Sequence, residues 1–311
     1  MNRNYEHKLK FEDYLIIDPQ LELFEGDNIN LSVLPLVSFC IPTFNSSRTL
    51  DNCLKSIIEQ EYPDIEIIIV DNGSNDNTIE IAKKYTDNIF FNNGLLGSVR
   101  QTSVENAKGE VIALFDSDII IPYNKWLLNS IKYFNYSNCV STVWPANVAP
   151  PNSPWTTRLY FNIWKITMEN RIKHGKSVFG GGNALFLRTY IEEIGGINKD
   201  IHWGEDFDWA QKLRNKGLQV VAISDPLYHD TMPSLKEFAK KQFMASETFS
   251  REDENLMGLS KKDLIYENIV LGTKCMFKGI FIRKDPSWFI FPLFMFIRGI
   301  GFGFHFIKNQ L

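Results

Sequence analysis

Asp116 and Asp118 stand one residue apart at the end of an apolar run, Val111 to Phe115, with a second run, Ile119 to Ile121 and Pro122, behind them. Two carboxylates so placed need a cationic partner. Hard oxygen ligands suit Mg²⁺ or Mn²⁺, and Mg²⁺ ordinarily takes one or two carboxylates together with substrate phosphate oxygens. The pair is therefore a candidate site for a metal diphosphate. An apolar strand ending in Asp-x-Asp also begins phosphohydrolases that use the first Asp, here Asp116, as nucleophile. Position 120 is Ile, however, where that pattern wants Thr or Val. A second acidic cluster, Glu205, Asp206 and Asp208, comes just before a helical pattern (Ala210, Leu213), where carboxylates also favour a helix N-terminus.

These residues need elements to carry them. From Leu36 the chain alternates apolar runs with turn-rich stretches and helical spacings. Val37 to Ile41 reads as a strand, and Leu50, Cys53, Leu54, Ile57 and Ile58 line one face of the helix after it. Ile65 to Val70 reads as the next strand, followed by a helix through Ile79, Ile81, Ala82 and Tyr85. Ile89 to Phe91 is a short strand, Ser98 to Ala107 a helix, and Val111 to Phe115 the strand that ends at Asp116. Such alternation predicts an α/β fold with a mostly parallel sheet covered on both faces. Ligands of these sheets bind at the carboxyl ends of the strands, which here means Thr43, Asp71 and Asp116. The first strand-to-helix turn lacks a G-x-G-x-x-G fingerprint, which disfavours a nicotinamide-dependent enzyme.

With these motifs in order, the run from Val37 to about His229 resembles family 2 glycosyltransferases of the GT-A fold. Val-Ser-Phe-Cys-Ile-Pro-Thr-Phe-Asn (37 to 45) is similar to the family's opening strand, and Ile-Ile-Ile-Val-Asp-Asn-Gly-Ser-Asn-Asp (67 to 76) to its second. The match implies that Thr43, Phe44 and Asp71 touch the nucleobase, with Pro42 beside them in the nucleotide-sugar site. Gly97 to Gly109 looks like the helix before the metal strand, which makes Arg100 a candidate diphosphate or base contact. Phe-Asp-Ser-Asp (115 to 118) matches the metal motif, so Asp116 and Ser117 would also lie against the donor.

Phe179 to Ala184 resembles the family's glycine-rich loop beside the donor sugar, which brings in Gly181, Gly182 and Asn183. Trp203 to Trp209 looks like its acidic motif, in which Asp206 would deprotonate the acceptor hydroxyl, with Glu205 beside it as a second catalytic residue. A sugar hydroxyl is a poor nucleophile and gains from a positioned carboxylate, while a metal neutralises the departing diphosphate. His229 occupies a place where relatives supply a metal or diphosphate ligand, and neutral imidazole suits that role. His202 and His174 are rivals in weaker context.

The resemblance thus implies an inverting enzyme that moves one sugar from a UDP- or GDP-linked donor to a glycan or lipid-linked acceptor, with Mn²⁺ or Mg²⁺. The Q-x-x-R-W motif of processive synthases is missing, with Gln242-Phe243-Met244 a distant echo, so single-sugar transfer is expected. Trp144, Trp155, Tyr160, Phe161 and Trp164 lie where the family binds acceptors, and a packed core would use them equally well. A sugar-nucleotide or glycan-binding protein without turnover is the remaining alternative, and the presence of Glu205 and Asp206 speaks against it.

Composition bounds the rest. The 33 Lys and Arg against 37 Asp and Glu give a net charge of −4, with no general drive toward nucleic acid. The four cysteines (Cys40, Cys53, Cys139, Cys275) form no C-x-x-C pair, which suggests reduced, mostly buried thiols. Residues 1–34 read as a polar extension without a secretory core, 35–235 as the catalytic domain, and 236–311 as a helical, basic and aromatic region. A cytoplasmic location follows. Between Val270 and Leu311 six basic residues face one acidic residue, a net of +5. Trp288 to Ile297 is uncharged but too short to span a bilayer, so 286–307 is expected to lie in the membrane interface from the cytoplasmic side, unless it is a packed core helix.

Overall fold

A computed structural model of the chain describes residues 34–135, 140–173, 182–201, 204–248 and 266–308. The N-terminal extension (but for Leu34), Cys139, Gly181, His174, His202 and Trp203 fall outside them.

The apolar runs become β1 (Val37–Thr43), β2 (Ile65–Asp71), the short β3 (Ile89–Phe91) and β4 (Val111–Leu114). β1 is central, with Thr43 opposite Asp71 on β2 and Cys40 opposite Leu114 on β4, all parallel. Strands apolar on both faces belong in such a sheet because helices cover both sides. The connecting helices are α1 (Leu50–Ile58), α2 (Thr78–Ala82) and α3 (Leu96–Asn106). On α1 the expected face is buried except at its last residue, since Ile58 is 56% exposed. α2 stops at Ala82, and Tyr85 lies beyond it, where its hydroxyl donates to Asp51 Oδ1 at 2.9 Å.

The later elements are β5 (Ile119–Ile120), α4 (Trp126–Ile131), β6 (Val140–Val148), α5 (Trp155–Lys173), β7 (Ala184–Leu187), α6 (Arg188–Glu193), α7 (Glu205–Asn215) and β8 (Gln219–His229). β7 runs antiparallel to β4, β6 to β7, and β5 to β8, giving a mixed sheet in the order β3-β2-β1-β4-β7-β6-β8-β5. Phe39, Phe115 and Trp126 tie its core together edge to face, with centroids 5.4 and 6.0 Å apart.

Two compact units result: the described parts of Met1–Asn147 and Phe179–His229, and those of Val148–Val178 and Asp230–Leu311. Alternation of strands and helices placed one boundary near 235, but α5 groups with the C-terminal helices. Those are α8 (Leu235–Thr248), a π-helical turn (Tyr266–Leu271), α9 (Gly272–Phe281), a 3-10 turn (Pro286–Ile290) and α10 (Phe291–Lys308). The cause is burial: Leu159 and Ile163 of α5 share a core with Met232, Phe238, Trp288, Phe291 and Phe294. Polar contacts add to it, as Thr157 Oγ1 donates to Thr231 O at 2.8 Å and Asn162 Nδ2 to Asp285 Oδ2 at 2.9 Å. Among the described residues, no helix is long and apolar enough to cross a membrane.

Candidate active site

Asp116 leaves the sheet where β4 ends, and the antiparallel neighbour decides what meets it. Leu114 pairs with Ala184, so Asn183 arrives beside Asp116. The Asn183 side chain grips it twice: Oδ1 accepts from Asp116 N at 2.8 Å and Nδ2 donates to Asp116 Oδ2 at 3.1 Å. Asn183 has φ of 56°, a left-handed conformation that Asn tolerates better than most residues. Its amide is thus engaged with Asp116, a task that the expectation of a donor contact did not include.

The other oxygen of Asp116 accepts from Arg100 Nη2 at 2.7 Å. Arg100 is buried, and its Nε lies 3.3 Å from Glu205 Oε1 while its guanidinium stands over Trp209, 5.7 Å from the ring centroid. α3 can bring it there because Gly97 abuts the segment before α7. Gly97 N donates to Ile201 O at 3.0 Å, and a Cβ on Gly97 would come within 2.0 Å of Asn198 O. Burial alone would lower the Arg100 pKa, but Asp116, Glu205 and Asp206 together hold it above its ordinary value. Burial lifts the Glu205 carboxyl, against the opposing charge of Arg100. Arg100 was expected at the diphosphate or base, and Glu205 beside the base Asp206. The structure pairs the two with each other, because neither buried charge is tolerable alone. Among the described residues, neither Nε nor Nη1 of Arg100, both buried, has a hydrogen-bond partner.

His229 ends β8, and its register on β5 places it opposite Ile119, next to Asp118. Its Nε2 is 3.0 Å from Asp118 Oδ1. One ligand atom each from Asp116, Asp118 and His229 lie within 4.8 Å of one another. Two hard oxygens and an imidazole, half-buried and close enough for one ion, fit a divalent metal.

Beside this cluster, Thr43 and Asp71 build the loop ends. Asp71 Oδ1 accepts from Thr43 Oγ1 at 2.7 Å and from Ser74 Oγ at 2.6 Å, and Oδ2 accepts from Ser74 N at 2.7 Å. Thr43 and Asp71 are buried and Pro42 half-buried, whereas Phe44 is exposed. Ser46, which the motifs did not single out, shares a 2.8 Å hydrogen bond with Ser117 and so links the first loop to the loop of Asp116 and Asp118. Its position in the polar turn after the first strand was the one available signal. Asp76 accepts from Ser47 N and from Thr78; burial pushes its carboxyl up, but these bonds prevail and hold it down at about 2.

Asp206 lies in the first turn of α7, half-buried, and a Cβ on Gly182 would stand 3.7 Å from its Oδ2. Asp208 pairs with Lys212 one turn on at 2.7 Å, which accounts for it structurally. The aromatic set divides: Trp144 is buried on β6 in the first unit, while Trp155, Tyr160, Phe161 and Trp164 lie on α5 in the second. Cys40 and Cys53 are buried thiols, as their spacing suggested.

Residues 38–195 match the family model "Glycosyl transferase family 2". The chain is 26% identical over 221 residues to glycosyltransferase AglE of Haloferax volcanii, covering 68% of this chain and 72% of that protein. It is 36% identical to the uncharacterized glycosyltransferase EpsJ of Bacillus subtilis, across 75% of this chain and 74% of that one. A 35% identical match to chondroitin synthase of Pasteurella multocida covers 78% of this chain but 29% of that protein. Among solved structures, the mannosyltransferase PcManGT of Pyrobaculum calidifontis superposes with a TM-score of 0.58 at 15% identity, covering 87% of this chain and 88% of its own. Glucosyl-3-phosphoglycerate synthase of Mycobacterium tuberculosis gives 0.54 at 14% identity, covering 73% and 80%. These likenesses show a shared GT-A fold.

Proposed function

Because the chain belongs to glycosyl transferase family 2, we propose that it is an inverting, metal-dependent enzyme moving a single sugar from a UDP- or GDP-linked donor to a glycan or lipid-linked acceptor. The observation that carries this reading is the convergence of Asp116, Asp118 and His229 within 4.8 Å at the carboxyl edge of the sheet. PcManGT was solved with GDP-Man and Mn²⁺, and the synthase with Mn²⁺ and UDP-Glc, which supports a nucleotide-diphospho-sugar and a divalent ion here. The imidazole in the donor set favours Mn²⁺ over Mg²⁺. A phosphohydrolase with Asp116 as nucleophile gives way to family membership.

Asp116, Asp118 and His229 would hold the ion. When bound, such an ion supplies positive charge to offset the negative charge that develops on a departing nucleoside diphosphate. Asn183 and Arg100 orient Asp116 from either side, so its carboxylate meets a ligand in one geometry. Phe44, exposed beside the buried Thr43 and Asp71, offers a ring face for a nucleobase. Asp206 takes the proton from the acceptor hydroxyl, whose oxygen then attacks the anomeric carbon as the bond to the diphosphate breaks, in one displacement that inverts the centre. Asp206 suits this role because it is half-buried beside Gly182, whereas Glu205 is engaged with Arg100.

The test is a binding and hydrolysis screen of UDP- and GDP-linked sugars with Mn²⁺, Mg²⁺ or EDTA, on wild type and on Asp118→Ala. Metal-dependent recognition of one donor, lost in the variant, is expected. Binding of no donor with any metal would overturn the reading.

A further inference from the structure

The second unit carries an apolar surface that its own core does not use. Along the 3-10 turn and α10, Trp288, Phe291 and Phe294 point inward, and Phe294 stacks on Phe238 with centroids 3.6 Å apart. The close fit on that side is set by glycine: a Cβ on Gly279 would sit 2.1 Å from the Trp288 ring, and one on Gly272 would sit 2.5 Å from Phe291. The opposite stripe is just as apolar and is left open. Phe289, Leu293, Phe296 and Ile300 follow at helical spacing and are 63, 43, 65 and 45% exposed. Around α9, Phe277, Phe281 and Ile282 are exposed as well, the last two above 70%. A helix apolar on both sides in a water-soluble setting leaves one side to be covered by something else.

Charge tells what that is. From Leu271 to Ile300, Lys274, Lys278, Arg283 and Lys284 are exposed, while the one acid, Asp285, is turned to Ser287 N at 2.9 Å and to Asn162. The exposed charge of the segment is therefore entirely basic. A second copy of the chain would set these cations against their own images across a two-fold interface, which repels. An anionic bilayer matches both features, since acyl chains accept the aromatic and aliphatic groups and acidic headgroups accept the lysines and arginines. No described helix is long and apolar enough to cross, so contact would be in the interface plane.

We propose that α9, the 3-10 turn and α10 form an interfacial membrane-binding face selective for anionic lipid. This face is independent of the donor site, and its failure would leave donor recognition untouched.

Sedimentation of the full chain with vesicles tests it, comparing pure phosphatidylcholine with an equimolar mixture of phosphatidylcholine and phosphatidylglycerol. The wild type is expected to pellet with the anionic vesicles, far less with the neutral ones, and to be released by raised salt. The triple variant Lys278→Ala, Arg283→Ala, Lys284→Ala should bind about a hundredfold more weakly, since each interfacial cation contributes about a factor of five. Phe281→Glu with Phe296→Glu should abolish binding while melting temperature and donor binding stay as in wild type, because both side chains are exposed. Equal pelleting with both lipids, no pelleting, or variants that bind like wild type would each overturn the proposal. A concentration-dependent dimer dispersed by Phe296→Glu, without vesicle binding, would assign the face to a second copy instead.

Discussion

Arg100 lies between two carboxylates from different elements, with Nη2 2.7 Å from Asp116 Oδ1 and Nε 3.3 Å from Glu205 Oε1. One buried cation thereby joins the end of β4 to the start of α7, so the candidate metal ligand Asp116 and the helix bearing Asp206 share a support. Removing the cation leaves Glu205 as an uncompensated buried acid. Arg100→Ala is expected to lower unfolding stability by about 3 kcal/mol, measured by denaturant titration. Arg100→Lys should recover only part of this, because an ammonium lacks the fork that reaches both partners. A variant as stable as wild type would show that the pair carries no such strain relief.

Asn183 predicts a separation of backbone from side-chain effects. Asn183→Gly keeps the left-handed φ of 56° accessible but removes both hydrogen bonds to Asp116. Metal affinity, read by Mn²⁺ titration of donor binding, should fall roughly 10- to 100-fold, as for other residues that orient a ligand. Unchanged affinity would mean that Asp116 is oriented without it.

Asp206 and Asp208 share a helical turn yet should differ sharply. Asp206→Asn is expected to lower kcat about 100-fold or more with the donor KM nearly constant. Asp208→Asn, which loses only the 2.7 Å pair with Lys212, should change kcat less than about threefold and stability by under about 1 kcal/mol. Comparable losses of kcat in the two would move the base assignment away from Asp206.

Asp76 should make the first loop acid-sensitive. Its folded pKa of about 2 lies below the ordinary 3.8, so its contribution is present above pH 3.8 and is lost as pH falls through about 2. Discounted for its partial exposure, the effect is about 1 kcal/mol. Asp76→Asn should therefore be less stable than wild type by that amount at neutral pH, with the difference closing near pH 2 in thermal melts. A gap that persists at pH 2 would point to geometry rather than charge.

How much of this was legible beforehand differs by element. The parallel strands β1 to β4 were readable because strands covered on both faces must be apolar throughout, and Asp71 and Asp116 mark their ends by abrupt polarity. Asp116, Asp118 and His229 were each named from motifs, the histidine 111 positions beyond Asp118. Local patterns set periodicity and polarity, which act over a few residues.

Tertiary structure alone decided the pairings. Only the antiparallel registers of β7 on β4 and β8 on β5 bring Asn183 to Asp116 and His229 to Asp118. Only the close approach at Gly97 turns Arg100 toward Glu205. The same holds for α5, whose Leu159 and Ile163 bury against partners more than 65 residues away in sequence and carry it into the second unit. Sequence by itself therefore determined which residues are apolar, acidic or basic along each element, and with that the family and the strand-helix alternation of the first half. Long-range burial and strand register, which depend on the whole chain minimising unpaired charge and exposed apolar area at once, decided which of those residues meet.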